Sequence, residues 1–141
     1  MKIAYTVPGD DFLKAGKASA ELKRLLGRLG VEPGIVKRAV VALYEGEMNM
    51  AIHAGGGIVE VEIEPALVRI ALRDKGPGIP DLGLAMTEGY STAGEKVREM
   101  GFGAGMGLPN MARNADTLDV DTVVGKGTCV TMTFALPDEG S

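Results

Sequence analysis

Apolar residues alternate or recur along most of this chain, and their period changes from segment to segment. Residues 2–7 alternate with period two, which predicts a strand, and Pro8-Gly9-Asp10 ends it. Asp10 or Asp11 can cap a helix. Phe12, Ala15, Ala18, Leu22, Leu25 and Leu29 then recur at three and four residues, which is one helical face. Lys14, Lys17, Lys23, Arg24 and Arg28 lie mostly off it, as a solvated surface does. Gly30 and Pro33-Gly34 break that helix and begin a second over about 34–54. Val36, Val40, Val41, Leu43, Tyr44, Met48, Met50 and Ile52 cover nearly its whole circumference, so it should be buried on most sides. Glu45, Asn49 and His53 fall at i, i+4 and i+8 and form one polar line along it. Polar groups on such a helix need partners or a cavity. Gly55-Gly56-Gly57 stops the helix.

Ile58 to Glu64 puts Val59, Val61 and Ile63 on one face and three glutamates on the other. Pro65-Ala66 turns the chain into the partner strand, Leu67 to Asp74. Val68, Ile70 and Leu72 point inward and Asp74 shares their parity, so its carboxylate faces the core side at the strand end. From Pro80 to Gly105 nothing is strongly periodic, although Leu82 to Met86 fits a short helix. A long loop in a compact domain is often a lid or a binding loop. Gly107-Leu108-Pro109 reads as a helix start, with Leu108, Met111, Ala112 and Ala115 as the inner face. A hairpin follows: Leu118, Val120 and Thr122 alternate with Asp119 and Asp121, Gly125-Lys126-Gly127 turns, and Thr128, Val130, Met132, Phe134 and Leu136 face inward. Runs of strands beside runs of helices predict an α+β two-layer sandwich, a mostly antiparallel sheet with helices on one face. The whole span, 1–141, reads as one domain.

Composition narrows the partners. A net charge of −4 argues against nucleic acid, which asks for a basic face. No apolar run approaches a membrane span, and the N-terminus is too short and polar-flanked for a signal peptide. One cysteine, Cys129, and one histidine make neither a disulfide nor a structural zinc site. These features point to the cytoplasm. Twenty-one glycines are about twice the usual share. Many lie in one region, which marks loop chemistry.

Two loops carry the candidate chemistry. Arg73-Asp74-Lys75-Gly76-Pro77-Gly78-Ile79 joins a strand-end carboxylate to a glycine turn. Asp74 suits such a turn, and it equally suits an inward acceptor for the amino group of a purine, with Thr128 beside it to hold a bridging water. Gly101-Phe102-Gly103-Ala104-Gly105-Met106-Gly107 has glycine at every second position and leads into a helix N-terminus. Composition alone allows a flexible loop; bare N–H groups ahead of a helix also favour phosphate. The run is neither a Walker loop, since no Gly-Lys-Ser/Thr follows, nor a Rossmann loop, since no strand precedes it. Glu45 and Asn49 are either a satisfied polar pair or a working one. In the second case Asn49 offers an amide oxygen to Mg²⁺ and Glu45 deprotonates the group attacking a γ-phosphate. His53 suits a helix end.

Taken together, Glu45-x-x-x-Asn49, Asp74-x-Gly76-x-Gly78, Gly101 to Gly107 and Gly125-x-Gly127-Thr128 resemble, in order and spacing, the motifs of the Bergerat-fold ATPases, which include gyrase and the histidine kinases. The resemblance spans about residues 35–135. It implies an α/β sandwich with ATP and Mg²⁺ between helices and sheet, under a Gly-rich lid. It implies Glu45 as general base, Asn49 as magnesium ligand, and Asp74 with Thr128 at the adenine. Gly76, Gly78 and Ile79 would line the pocket, and Gly103, Gly105, Met106 and Gly107 would hold the triphosphate.

Arg73 to Pro80 and Glu88-Gly89-Tyr90-Ser91-Thr92 look most like the small anti-sigma-factor and stressosome switch kinases. Those act on a serine or threonine of a STAS-domain antagonist, or bind a sigma factor or phosphatase. The sporulation-type kinases carry an arginine near the place of Gly103, and the stressosome-type kinases lack it, as this chain does. That leaves open which group neutralises the γ-phosphate; Lys96 and Arg98 are candidates. The resemblance thus implies an ATP-dependent protein serine/threonine kinase. Its rivals are an ATP-gated binding module and the catalytic half of a split histidine kinase. A homodimer is a further expectation, with the N-terminal strand pairing with a copy of itself.

Overall fold

The computed structural model of the chain describes residues 1–9, 16–53, 55–76 and 107–137. Within them run β1 (Lys2–Pro8), α1 (Lys17–Arg28), α2 (Pro33–His53), β2 (Gly56–Ile63), β3 (Leu67–Arg73), α3 (Gly107–Asn114), β4 (Thr117–Val123) and β5 (Gly127–Ala135). The strands form one sheet in the order β1-β2-β3-β5-β4, and each of these pairings is antiparallel. The α+β sandwich expected from the pattern is the observed architecture.

Strand parity sorts the sheet into two faces. Val59, Val61, Val68, Ile70, Leu72, Val130, Met132 and Phe134 are buried beneath the helices. The opposite face carries cross-strand ion pairs, Arg73 with Glu60 at 2.6 Å and Arg69 with Glu62 at 3.5 Å. Exposed pairs of this kind contribute at most about 1 kcal/mol. β2 begins two residues earlier than its apolar alternation predicts, because Gly56 and Gly57 pair with Pro8 and Val7 of β1.

α2 lies hard against the middle of the sheet, and glycine makes the approach possible. A Cβ on Gly46 would stand 2.4 Å from Cδ2 of Leu72 on β3. One on Gly57 would stand 2.3 Å from the Arg73 carbonyl oxygen and 2.4 Å from Cε of Met50. The second half of α2 therefore crosses the end of β3. Burial of α2 is extensive but not complete: Val41 and Tyr44, expected inside, are each 37% exposed.

α1 departs from its expected face. Asp10, Asp11, Phe12 and Ala15 lie outside the described residues. The helix begins at Lys17, behind Gly16 with φ 105°, and it buries Ala18, Ser19, Leu22 and Leu26. Leu25 is only half-buried and Leu29 is 48% exposed. The helix has rolled toward Ser19 and Leu26 because its first turn is held from α2, by a contact described below.

Candidate functional site

The candidate residues lie on α2, at the end of β3 and on α3, and α2 packs against both of the others. β3 pairs with β5 so that Arg73 faces Cys129, which sets Asp74 beside Thr128. The Asp74 N–H donates to the Thr128 carbonyl at 3.0 Å. The Thr128 N–H donates back to Oδ1 of Asp74 at 3.1 Å, and the Gly76 N–H donates to the same oxygen at 2.9 Å. Asp74 thus closes the turn and ties it to β5, accepting two backbone donors on one oxygen. Its other oxygen, Oδ2, has no hydrogen-bond partner among the described residues. A carboxylate pinned by two backbone donors, with one oxygen left over, fits the exocyclic amine of a purine. Thr128 is buried and its hydroxyl lies 2.9 Å from that of Thr122.

Gly127 is what lets the two chains touch. Its φ is 132°, and a Cβ there would meet the Asp74 carbonyl oxygen at 2.1 Å. An alanine would add backbone strain to a clash with main chain that cannot swing aside. Gly127→Ala should lower stability by about 2–4 kcal/mol, read as a lower urea midpoint at unchanged m-value.

Glu45 is half-buried on α2. Its Oε1 accepts a hydrogen bond from Nδ2 of Asn110 on α3, at 3.3 Å. Burial raises the Glu45 pKa above the ordinary carboxylate range, and the Asn110 hydrogen bond pulls it part of the way back. A carboxylate made more basic in this way suits proton abstraction. Asn49, one turn on, is half-buried and makes no hydrogen bond among the described residues. The two residues do not bond to each other. Among the described residues no group of three or more His, Cys, Asp or Glu could hold a metal. The donor set still fits Mg²⁺, a hard cation that keeps its waters and substrate phosphates and needs few protein oxygens.

Gly107 opens α3, as expected, and Leu108 and Met111 are buried beneath it. Gly78, Ile79, Gly103, Gly105 and Met106 lie outside the described residues, as do Lys96, Arg98 and the span from Pro80 to Gly105. His53 ends α2.

The pattern of the chain missed three residues: Gly46, Asn110 and Glu47. Glu47 is 1% exposed. Its Oε2 accepts from the N–H of Gly16 at 2.7 Å and of Ala18 at 3.2 Å, and its Oε1 accepts from the N–H of Ser19 at 2.6 Å. It caps α1 from a different helix. Gly16 has no side chain to do so. The signal lay in the stripe Val36, Val40, Leu43, Glu47, Met50, where a glutamate holds an inward position.

The sandwich thus sets a carboxylate held by two backbone donors at one strand end and a carboxylate of raised pKa on α2. Residues 34–138 match the model of the histidine kinase-, DNA gyrase B-, and HSP90-like ATPases, and the chain belongs to that family. It is 34% identical to the serine/threonine-protein kinase RsbT of Bacillus subtilis over 95 residues, 64% of this chain and 65% of that one. It is 33% identical to the anti-sigma F factor of Geobacillus stearothermophilus over 95 residues, 67% of this chain and 58% of that one. The match thus spans less than two thirds of each relative's length. Its fold resembles the crystal structure of the RsbU and RsbW domains of a Mycobacterium tuberculosis protein, with TM-score 0.65 and 17% identity over 96% of this chain and 32% of that one. Among the described residues no helix is long and apolar enough to cross a membrane.

Proposed function

We propose that the chain is an ATP-dependent protein serine/threonine kinase of a partner-switching pathway, with a STAS-domain protein as its acceptor. The observation that carries this reading is Asp74, whose Oδ1 is held by two backbone donors while Oδ2 has no partner among the described residues. Membership of an ATPase family and likeness to a curated serine/threonine kinase support it. Asp74 and Thr128 would take the adenine, with Gly76, Gly78 and Ile79 around it. Gly103, Gly105, Met106 and Gly107 would take the phosphates, and Asn49 the Mg²⁺ that offsets their charge. Glu45 would accept the proton of the attacking hydroxyl as its oxygen bonds to phosphorus and ADP leaves.

Likeness to an anti-sigma F factor favours a second reading, in which ATP gates the capture of a sigma factor or phosphatase with little transfer. Incubating the chain with [γ-³²P]ATP, Mg²⁺ and a STAS-domain protein of the same organism separates the two. Acid-stable label on the acceptor supports the kinase; binding without label supports the module. Acid-labile label would instead mark a histidine kinase half. We place the chain in the cytoplasm. β1 is an edge strand, paired with β2 alone among the described residues, and its open side suits a second copy.

Asp74→Asn turns one acceptor oxygen into a donor. It should weaken ATP binding by about ten-fold or more in calorimetry, since a charge-assisted hydrogen bond contributes about 1.5–3 kcal/mol. Equal affinity in the two proteins would remove Asp74 from the adenine.

A further inference from the structure

Among the described residues a single side chain, Asn110, ties Glu45 to α3, and that side chain is itself held. Nη1 of Arg113 donates to Oδ1 of Asn110 at 3.2 Å, one turn along the same helix. A guanidinium can only donate, so it must face the amide oxygen. That turns Nδ2 toward Glu45, where it donates to Oε1 at 3.3 Å. We infer that Asn110 is a positioning residue for Glu45: its amide, oriented by Arg113, holds one carboxylate oxygen on α3 and leaves the other for the proton. The inference rests on the reading of Glu45 as the base.

Three features support it. First, α3 is registered on α2 at a second point. Arg38 on α2 donates to the Asn114 carbonyl at 3.1 Å and pairs with Asp116 at 3.5 Å, while Asn114 donates to the Asn110 carbonyl at 2.8 Å. Asn110 therefore stands at a fixed distance from the helix that carries Glu45. Second, Oε2 of Glu45 has no hydrogen-bond partner among the described residues, so within them one oxygen is anchored and the other is not. Third, the donor is neutral. A lysine or arginine bonded directly to Glu45 would hold it as well, but would stabilise its charged form and weaken it as a base. An amide fixes the rotamer and costs far less basicity. The cation, Arg113, acts one step removed.

The test is a double-mutant cycle read by single-turnover loss of the γ-phosphate from [γ-³²P]ATP, with Mg²⁺, the full chain in excess and the STAS-domain protein present. Asn110→Ala should lower the rate about ten-fold, while the affinity for ATP stays within about two-fold. In a Glu45→Gln background the same change should alter the rate by less than about two-fold, because there is no base left to orient. Arg113→Met, at an exposed residue, frees the amide to turn and should give a smaller loss of the same kind. An unchanged rate in both Asn110→Ala and Arg113→Met overturns the inference. So does a loss that is equal in both Glu45 backgrounds, or one that appears in affinity alone. If instead Glu45→Gln by itself keeps the wild-type rate, or the wild-type chain turns over no ATP, the base reading fails first.

Discussion

Glu47→Ala should be the most destabilising single substitution in the helical layer, lowering stability by about 3–5 kcal/mol. The carboxyl group accepts three backbone N–H groups at the first turn of α1, and it is sealed from water. Those donors cannot bond within the helix, because the first turn of any helix lacks acceptors. Losing an ordinary cap costs about 0.5–2 kcal/mol; here the orphaned groups Ala18 and Ser19 are also buried, so each adds its desolvation penalty. Against a total of about 5–15 kcal/mol this threatens the fold. Glu47→Gln should rescue little, since its amide must set a donor against donors. Urea denaturation of the three proteins gives the comparison. A loss under about 1 kcal/mol in Glu47→Ala would mean that water replaces the carboxyl group and that α1 does not depend on it.

The order of elements and the sheet faces were legible because they follow from parity, which depends on neighbours in sequence. Val59, Val61, Val68, Ile70 and Leu72 needed no tertiary information. The edge of α1 was not legible for the opposite reason. Its apolar residues admit more than one inward stripe, and the choice was made by Glu47, 28 residues away from Ser19. The same distinction runs through the site. Asp74 announced itself by parity and by its glycines. Glu45 and Asn49 stood out on an apolar helix. Asn110 did not, because an asparagine on a short helix carries no signal until α3 is laid across α2. Glu45 and Glu47 differ by two positions and face opposite fates. One is buried against backbone donors and is spent on structure; the other is half-buried beside a neutral amide and has one oxygen unbonded among the described residues.

That difference makes Glu45→Gln the sharpest test of function. Glutamine keeps the shape of the side chain and an oxygen that can accept from Asn110, but it cannot take a proton. A general base contributes about 10²–10⁴-fold, so transfer of the γ-phosphate should fall by that factor while Mg²⁺–ATP still binds. Asn49→Ala should lose both. Glu45→Gln should also be more stable than the wild type at neutral pH. Burial, opposed by the Asn110 hydrogen bond, raises the Glu45 pKa in the folded chain above its usual 4.5. A carboxyl group whose folded pKa is raised contributes stability that is present below the unfolded pKa and lost as pH rises through the folded one. At pH 7 the wild type therefore carries a half-buried charge that glutamine does not. Glu45→Gln should melt at a higher temperature there, and the gap should close as pH falls toward 4.5. A slower but more stable variant is the signature of a group held in an unfavourable place for its chemistry. Wild-type transfer in Glu45→Gln would remove Glu45 as the base. Loss of ATP binding together with lower stability would make it a structural residue, like Glu47.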